Sequence, residues 1–144
     1  MSDWNQQIID EFHTKNGVVG GQFDGANIVL LHHTGRKSGT GYVAPVVWFE
    51  GEPGTIYVVA SAAGAPKHPQ WYENLLAAGR ISVEVGRADG VGGIDVRDVR
   101  VEELQGAERD RVFADIVKQA PGFGEYEKKT EGIRTIPVLA LHRD

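Results

Sequence analysis

Cysteine is absent from this 144-residue chain. That excludes a disulfide framework and any zinc or iron–sulfur site built on thiolates, and it makes an unoxidised, cytoplasmic setting the expected one. Long apolar runs are missing too. No window approaches the ~20 residues of a membrane span, so no integral membrane segment is expected. The amino terminus, Met1-Ser2-Asp3-Trp4-Asn5, lacks the basic-then-apolar order of an export signal, and the mature protein is expected to start near Met1. Positive charge is in short supply: 15 Lys and Arg stand against 20 Asp and Glu, a formal net charge of −5. General nucleic-acid affinity rests on many cation–phosphate contacts, so no nucleic-acid partner is expected, and a local basic cluster points instead to a small anion. Linkers and internal repeats are absent, and the length fits one domain, 1–144, with one core. What the chain does have is glycine, 19 residues of it, as the many tight turns of a barrel or meander require.

The basic cluster lies in His32-His33-Thr34-Gly35-Arg36-Lys37-Ser38-Gly39-Thr40-Gly41, a turn between two apolar strands. Glycine can turn backbone N–H groups toward one point, and Arg36 and Lys37 can neutralise a phosphate or carboxylate. A solvated hairpin tip has the same composition, so these residues alone leave both readings open.

Periodicity supplies the elements. Trp4, Ile8 and Phe12 predict an amphipathic helix from residue 3 to about residue 15, within an amino-terminal unit 1–16 that serves as barrel packing or lid. Strands are expected over Ala26–His32, Tyr42–Glu50 and Thr55–Ser61, with Pro45 marking an edge or bulge because it cannot donate to a ladder. Pro69 opens a helix carrying Trp71, Tyr72, Leu75 and Leu76, which Gly79 stops. Strands Ile81–Val85 and Ile94–Leu104 follow, the second with a phase slip near Arg97-Asp98 that predicts a bulge. A helix bearing Val112, Phe113, Ile116 and Val117 runs to Pro121-Gly122, a short segment carries Phe123 and Tyr126, and a last strand spans Ile136–Leu141. Six strands joined by short hairpins, without βαβ repeats, predict a mainly antiparallel sheet curled into a small barrel over 26–142, with three helices outside. A doubly wound nucleotide fold is excluded, because the glycines at 35 to 41 open a strand rather than a helix.

Several stretches together resemble the deazaflavin-dependent nitroreductase family, whose members use reduced 8-hydroxy-5-deazaflavin, coenzyme F-420. They are Gly20–Gly25, Leu30–Gly39, Val59-Ala60-Ser61 with Gly64-Ala65-Pro66, Pro69-x-Trp71-Tyr72-x-Asn74-Leu75, and Tyr126-x-x-Lys129-Thr130 with Arg134-Thr135-Ile136-Pro137-Val138. The resemblance implies a split β-barrel and an oxidoreductase that passes a hydride to a quinone, an activated alkene or a nitro compound. Two departures stand out. Many relatives carry Lys where this chain has Ala62, a contact that Lys67 would replace, and the carboxy-terminal stretch is longer by a residue or two around Glu131-Gly132-Ile133.

The resemblance also assigns roles. Arg36 and Lys37 bind the phosphate, with Thr34, Ser38 and the backbone from Gly35 to Gly39 completing the cradle. Lys67 and His68 meet tail carboxylates, or lie at a solvated helix end. Val59, Ala60, Ser61, Ala62 and Ala63 form a narrow wall beside the ring. One of Trp71 and Tyr72 faces the pocket, with Trp71 preferred, and Asn74 is expected to fix a helix end or loop backbone. Tyr126 positions or protonates the acceptor, or is simply a buried tyrosine. His32 and His33 point to opposite sides of one strand and make no metal site by themselves. The alternatives are an FMN-dependent reductase on the same fold, a non-catalytic deazaflavin carrier, and a ligand-free interaction domain. A homodimer is consistent with split-barrel relatives.

Overall fold

The computed structural model describes residues 3–23 and 25–143. Its strands are β1 (Ile28–Thr34), β2 (Gly41–Glu50), β3 (Thr55–Val59), β4 (Arg80–Val85), β5 (Asp95–Glu103) and β6 (Val138–Arg143). They pair antiparallel throughout and close a barrel in the order β1-β2-β3-β6-β5-β4. Alternation along each strand sends Val29, Leu31, Trp48, Val58, Val83, Val99 and Leu139 to the interior, where they form one buried cluster. Trp48 is seated there by its indole N–H, which donates to the Gly86 carbonyl at 2.8 Å.

Helices cover the outside. α1 (Asp3–Thr14) lays Ile8, Ile9 and Phe12 over the outward-facing Ile28 and Leu30 of β1. α2 (Gln70–Ala78) caps one end of the barrel with Leu75, while Trp71 and Tyr72 pack beside it. It stops at Gly79, whose φ of 75° suits the left-handed cap and whose N–H donates to the Leu75 carbonyl at 2.9 Å. α3 (Gly106–Gln119) sets Val112, Phe113 and Ile116 on the outer faces of β3 and β6. Arg109, 8% exposed, ties α3 to the chain before β6 by donating to the Ile136 carbonyl through Nε at 3.1 Å and Nη2 at 2.7 Å.

Three expectations need correction. The segment with Phe123 and Tyr126 is a fourth helix, α4 (Gly122–Thr130), so four helices surround the barrel rather than three. No bulge interrupts β5 at Arg97-Asp98, where pairing with β4 runs unbroken from Asp95 to Arg100. The apparent slip arises because Val96 is an exposed apolar residue, 65% accessible, while half-buried Arg97 pairs with Asp95 at 2.8 Å. Strand ends also shift: β3 stops at Val59 rather than Ser61, and β6 covers Val138–Arg143 rather than Ile136–Leu141. Pro45 behaves as expected. The Trp48 N–H donates to the Asn27 carbonyl on the β1 side at 2.9 Å, so two-residue alternation turns the Pro45 nitrogen to the opposite edge. That edge has no strand partner, because β2 meets β3 only over Trp48–Glu50.

Candidate functional site

β2 and β3 therefore part before Trp48, and a cleft of about 940 Å³ lies between Val46 and Val47 of one and the chain that follows the other. Val46 and Val47 form one side of it, Val59, Ser61, Ala62 and Ala63 the other, and Trp71 and Tyr126 also border it. Trp4 of α1 and Phe23, with ring centroids 5.8 Å apart, stand on its rim. Its lining mixes apolar and aromatic side chains with the polar residues Asn27, Glu50, Ser61, Gln119 and Tyr126.

The small-residue wall is an unusual piece of backbone. Ala62 and Ala63 have φ of 47° and 55°, and Gly64 follows at 80°. Left-handed conformation costs a non-glycine residue roughly 1–2 kcal/mol, so this turn persists only because its surroundings hold it. Two sets of contacts do so. Gly64 lies so close to α4 that an added Cβ would meet Lys129 Cδ at 2.9 Å and Tyr126 Cα at 3.4 Å, which brings Tyr126 against the turn. Arg134 grips the carbonyls on either side, with Nε donating to Ala65 at 3.0 Å, Nη1 to Ala60 at 3.1 Å and Nη2 to Ser61 at 2.7 Å. The Tyr126 ring meets Phe123 edge-on at 5.7 Å, and its hydroxyl makes no hydrogen bond to the described residues.

A second cleft, about 480 Å³, lies on the other side of α2 and is bordered by Gly35, Arg36, Lys37, Ser38, His68 and Glu73. The Asn74 side chain, 1% exposed, organises it. Its Oδ1 accepts from the Arg36 N–H at 3.1 Å, and its amide lies 3.0 Å from Nδ1 of buried His33. An amide N–H facing that nitrogen makes it an acceptor, so His33 is the neutral Nε2–H tautomer. Burial, reinforced by the neighbouring His32, holds its pKa below the ordinary imidazole value. Gly35 allows the turn to close, since a Cβ there would meet Ser38 Oγ. Arg36 is paired with Glu73 at 2.8 Å. His68 packs on Tyr72 at 4.7 Å, and burial, followed by the Arg134 charge, lowers its pKa. Tyr72 donates to Glu103 at 2.7 Å, and burial with that hydrogen bond pushes its hydroxyl up to about 12.

The expected residues thus divide between two clefts that flank α2. Gly35, Arg36, Lys37, Ser38 and His68 gather at the basic one, and Val59, Ser61, Ala62, Ala63, Trp71 and Tyr126 at the wide one. Thr34, Gly39, Ala60 and Lys67 border neither. Ala60 is fully buried, its carbonyl held by Arg134, and Lys67 is exposed. Asn74 fixes loop backbone as anticipated, and Trp71 rather than Tyr72 faces the wide cleft. Glu73 carries no signal of its own in the sequence, and Arg134 opens the last of the resembling stretches without a role being assigned to it. The two histidines part as expected, with His33 turned inward and His32 outward to Glu84 at 2.6 Å.

A six-stranded antiparallel barrel with helices outside it places the chain in the split-barrel fold class. Residues 4–143 match the sequence profile of the F420H(2)-dependent quinone reductase family, and the chain belongs to that family. The Mycobacterium tuberculosis protein Rv3178, provisionally named F420H(2)-dependent quinone reductase, is 34% identical over 113 residues, covering 78% of this chain and 87% of that one. Among solved structures, an F420-H2 dependent reductase, FDR-A, is 37% identical over 80% of this chain and 93% of its own, with a TM-score of 0.65. A structure described as a domain-swapped dimer is 32% identical over 97% of this chain and 98% of its own, with a TM-score of 0.67. The protein is an oxidoreductase whose hydride source is reduced coenzyme F420 and whose acceptors are of the quinone type.

Proposed function

We propose that the two clefts are one cofactor site, the wide cleft taking the deazaflavin ring and the basic cleft the phosphate of its tail. The juxtaposition across α2 carries this reading. On one side lies a slot walled by Ser61, Ala62 and Ala63, and on the other Arg36, Lys37, Ser38 and the Gly35–Gly39 backbone. The donor set fits the group. A flat ring needs small side chains and accessible backbone, which the left-handed turn and the unpaired edge of β2 provide. A phosphate needs charge-assisted donors, which Arg36 and Lys37 provide. When bound, the coenzyme supplies the hydride.

The chain supplies the rest. Trp4, Phe23 and Trp71 restrict water at the wide cleft and hold a planar quinone over the ring site. Tyr126, with its hydroxyl uncommitted among the described residues, orients the acceptor oxygen or gives it a proton. Arg36 exchanges Glu73 for the phosphate as its partner. Assembly as a homodimer belongs to this reading, supported by the domain-swapped relative, and sedimentation analysis of the purified chain tests it.

A fluorescence titration with oxidised coenzyme F420, beside FMN at equal salt, tests the cofactor site. Tight coenzyme binding is expected, weakened about thirtyfold or more in the Arg36→Ala, Lys37→Ala double variant, since each charge-assisted hydrogen bond contributes about 1.5–3 kcal/mol and Arg36 gives up a partly exposed partner worth at most about 1 kcal/mol. Equal affinity for FMN, or a double variant that binds like the wild type, overturns the assignment.

A further inference from the structure

Arg134 borders neither cleft, yet it touches residues of both. Its guanidinium holds three carbonyls of the turn beside the wide cleft, those of Ala60, Ser61 and Ala65, at 2.7–3.1 Å. Through Nη1 it also reaches Nδ1 of His68 at 3.0 Å, and His68 borders the basic cleft. A guanidinium only donates. His68 Nδ1 is therefore an acceptor, the ring is neutral, and its one proton sits on Nε2. That N–H has no hydrogen-bond partner among the described residues, so it is the donor His68 has left to offer the cleft.

We propose that Arg134 is the positioning residue that couples the two halves of the cofactor site, fixing the left-handed turn beside the ring and presenting the Nε2–H of His68 to the anionic tail. The proposal rests on the reading of the two clefts as one site. The carbonyls it grips lie on both sides of Ala62 and Ala63, the strained residues, so fixing them fixes the turn. The task requires a planar fork that addresses several acceptors in fixed directions, which an ammonium on a flexible stem does not provide. The other groups facing His68 are Tyr72 and Glu73 of α2 and Glu103 of β5; both carboxylates act on the imidazole in the sense opposite to Arg134.

Two measurements test it. In the unliganded protein, proton–nitrogen correlation spectra should show His68 Nδ1 unprotonated and the ring titrating below the ordinary imidazole value. Arg134→Met should raise that midpoint and leave His33 unchanged. With the coenzyme, Arg134→Met and Arg134→Lys should both bind about tenfold more weakly or worse, as expected when a positioning contact is lost. His68→Ala, which leaves the carbonyl contacts of the turn intact, should raise KM for reduced coenzyme more than it lowers kcat. It keeps the test available if Arg134→Met does not fold. The proposal is overturned by a His68 titration that Arg134→Met does not move, by wild-type coenzyme affinity in either Arg134 variant, or by an unchanged KM in His68→Ala. The spectra need no coenzyme, so they stand apart from the cofactor assignment, whose own failure would appear as coenzyme affinity unmoved in the Arg36→Ala, Lys37→Ala variant.

Discussion

Two side chains make the proposed chemistry sensitive to single atoms. The Tyr126 hydroxyl is the polar group at the wide cleft best placed to meet an acceptor oxygen, since nothing among the described residues claims it. Tyr126→Phe keeps the ring contact with Phe123 and removes only that hydroxyl. Quinone reduction should then fall by about a hundredfold in kcat, at the low end of what a positioned proton donor contributes, while coenzyme affinity holds; an unchanged kcat in steady-state assays would sink the role. Glu73 acts in the opposite sense. Its carboxylate, 45% exposed, pairs with Arg36, and at the proposed site it would compete with a phosphate for the same guanidinium. Partly exposed ion pairs contribute about 0.2–1 kcal/mol, so Glu73→Gln should tighten coenzyme binding by up to about fivefold. A titration showing weaker binding would mean that Glu73 orients Arg36 rather than competing for it.

Elements reach the site by close backbone approaches that only glycine permits. The loop after α1 crosses the end of β4 at Gly86, where a Cβ would collide with the Gly17 carbonyl oxygen and meet Phe12 Cε2 at 2.6 Å. Because one contact is with backbone, the clash cannot be relieved by turning a side chain. Gly86→Ala should therefore cost about 1–3 kcal/mol, the usual range for overpacking. It should also loosen α1, which carries Trp4 to the cleft rim. Urea unfolding and Trp fluorescence report the two effects separately, and a variant of wild-type stability would refute the tight seat. α4 also owes its place to packing. Its sequence, GFGEYEKKT, has two glycines and few apolar residues, so periodicity marks no helix there. It forms because Phe123 meets Phe49 edge-on at 5.7 Å and because Gly64 admits Lys129 and Tyr126 against the turn.

At the scale of the whole molecule, titration links the site to stability. His33 and His68 both have pKa values lowered by burial, so the folded protein binds fewer protons there than the unfolded chain. Their contribution is full above the unfolded imidazole value, about 6.5, and is lost as pH falls below it toward the folded values. Glu84, held down by hydrogen bonds from His32 and His13 against the opposing effect of burial, adds a second loss as pH falls through the acidic range. The melting temperature should therefore drop in two stages on acidification. His33→Gln should flatten the first stage in calorimetric scans across pH. A melting temperature that rises from neutral to mildly acidic pH would contradict the neutral state of buried His33 and half-buried His68.

Much of the fold was legible from residue order. Alternation in β4, the apolar runs of β1 and β6, and the spacing of Ile8, Ile9 and Phe12 each reflect a local rule of backbone geometry, and short hairpins leave few ways to connect them. The basic turn was legible as a turn, because its glycines and paired cations fall in one short stretch between two apolar strands, while its anion chemistry stayed open. Long-range decisions were not. That Pro45 marks the open edge follows from where β3 leaves the sheet. The sequence by itself determined the barrel and its helical covering, since these arise from periodicity and local turn chemistry. Only the tertiary structure decided that Arg134, 74 residues from Ala60 and 66 from His68, closes on both, because that contact exists only once β3, α2 and the chain before β6 have met.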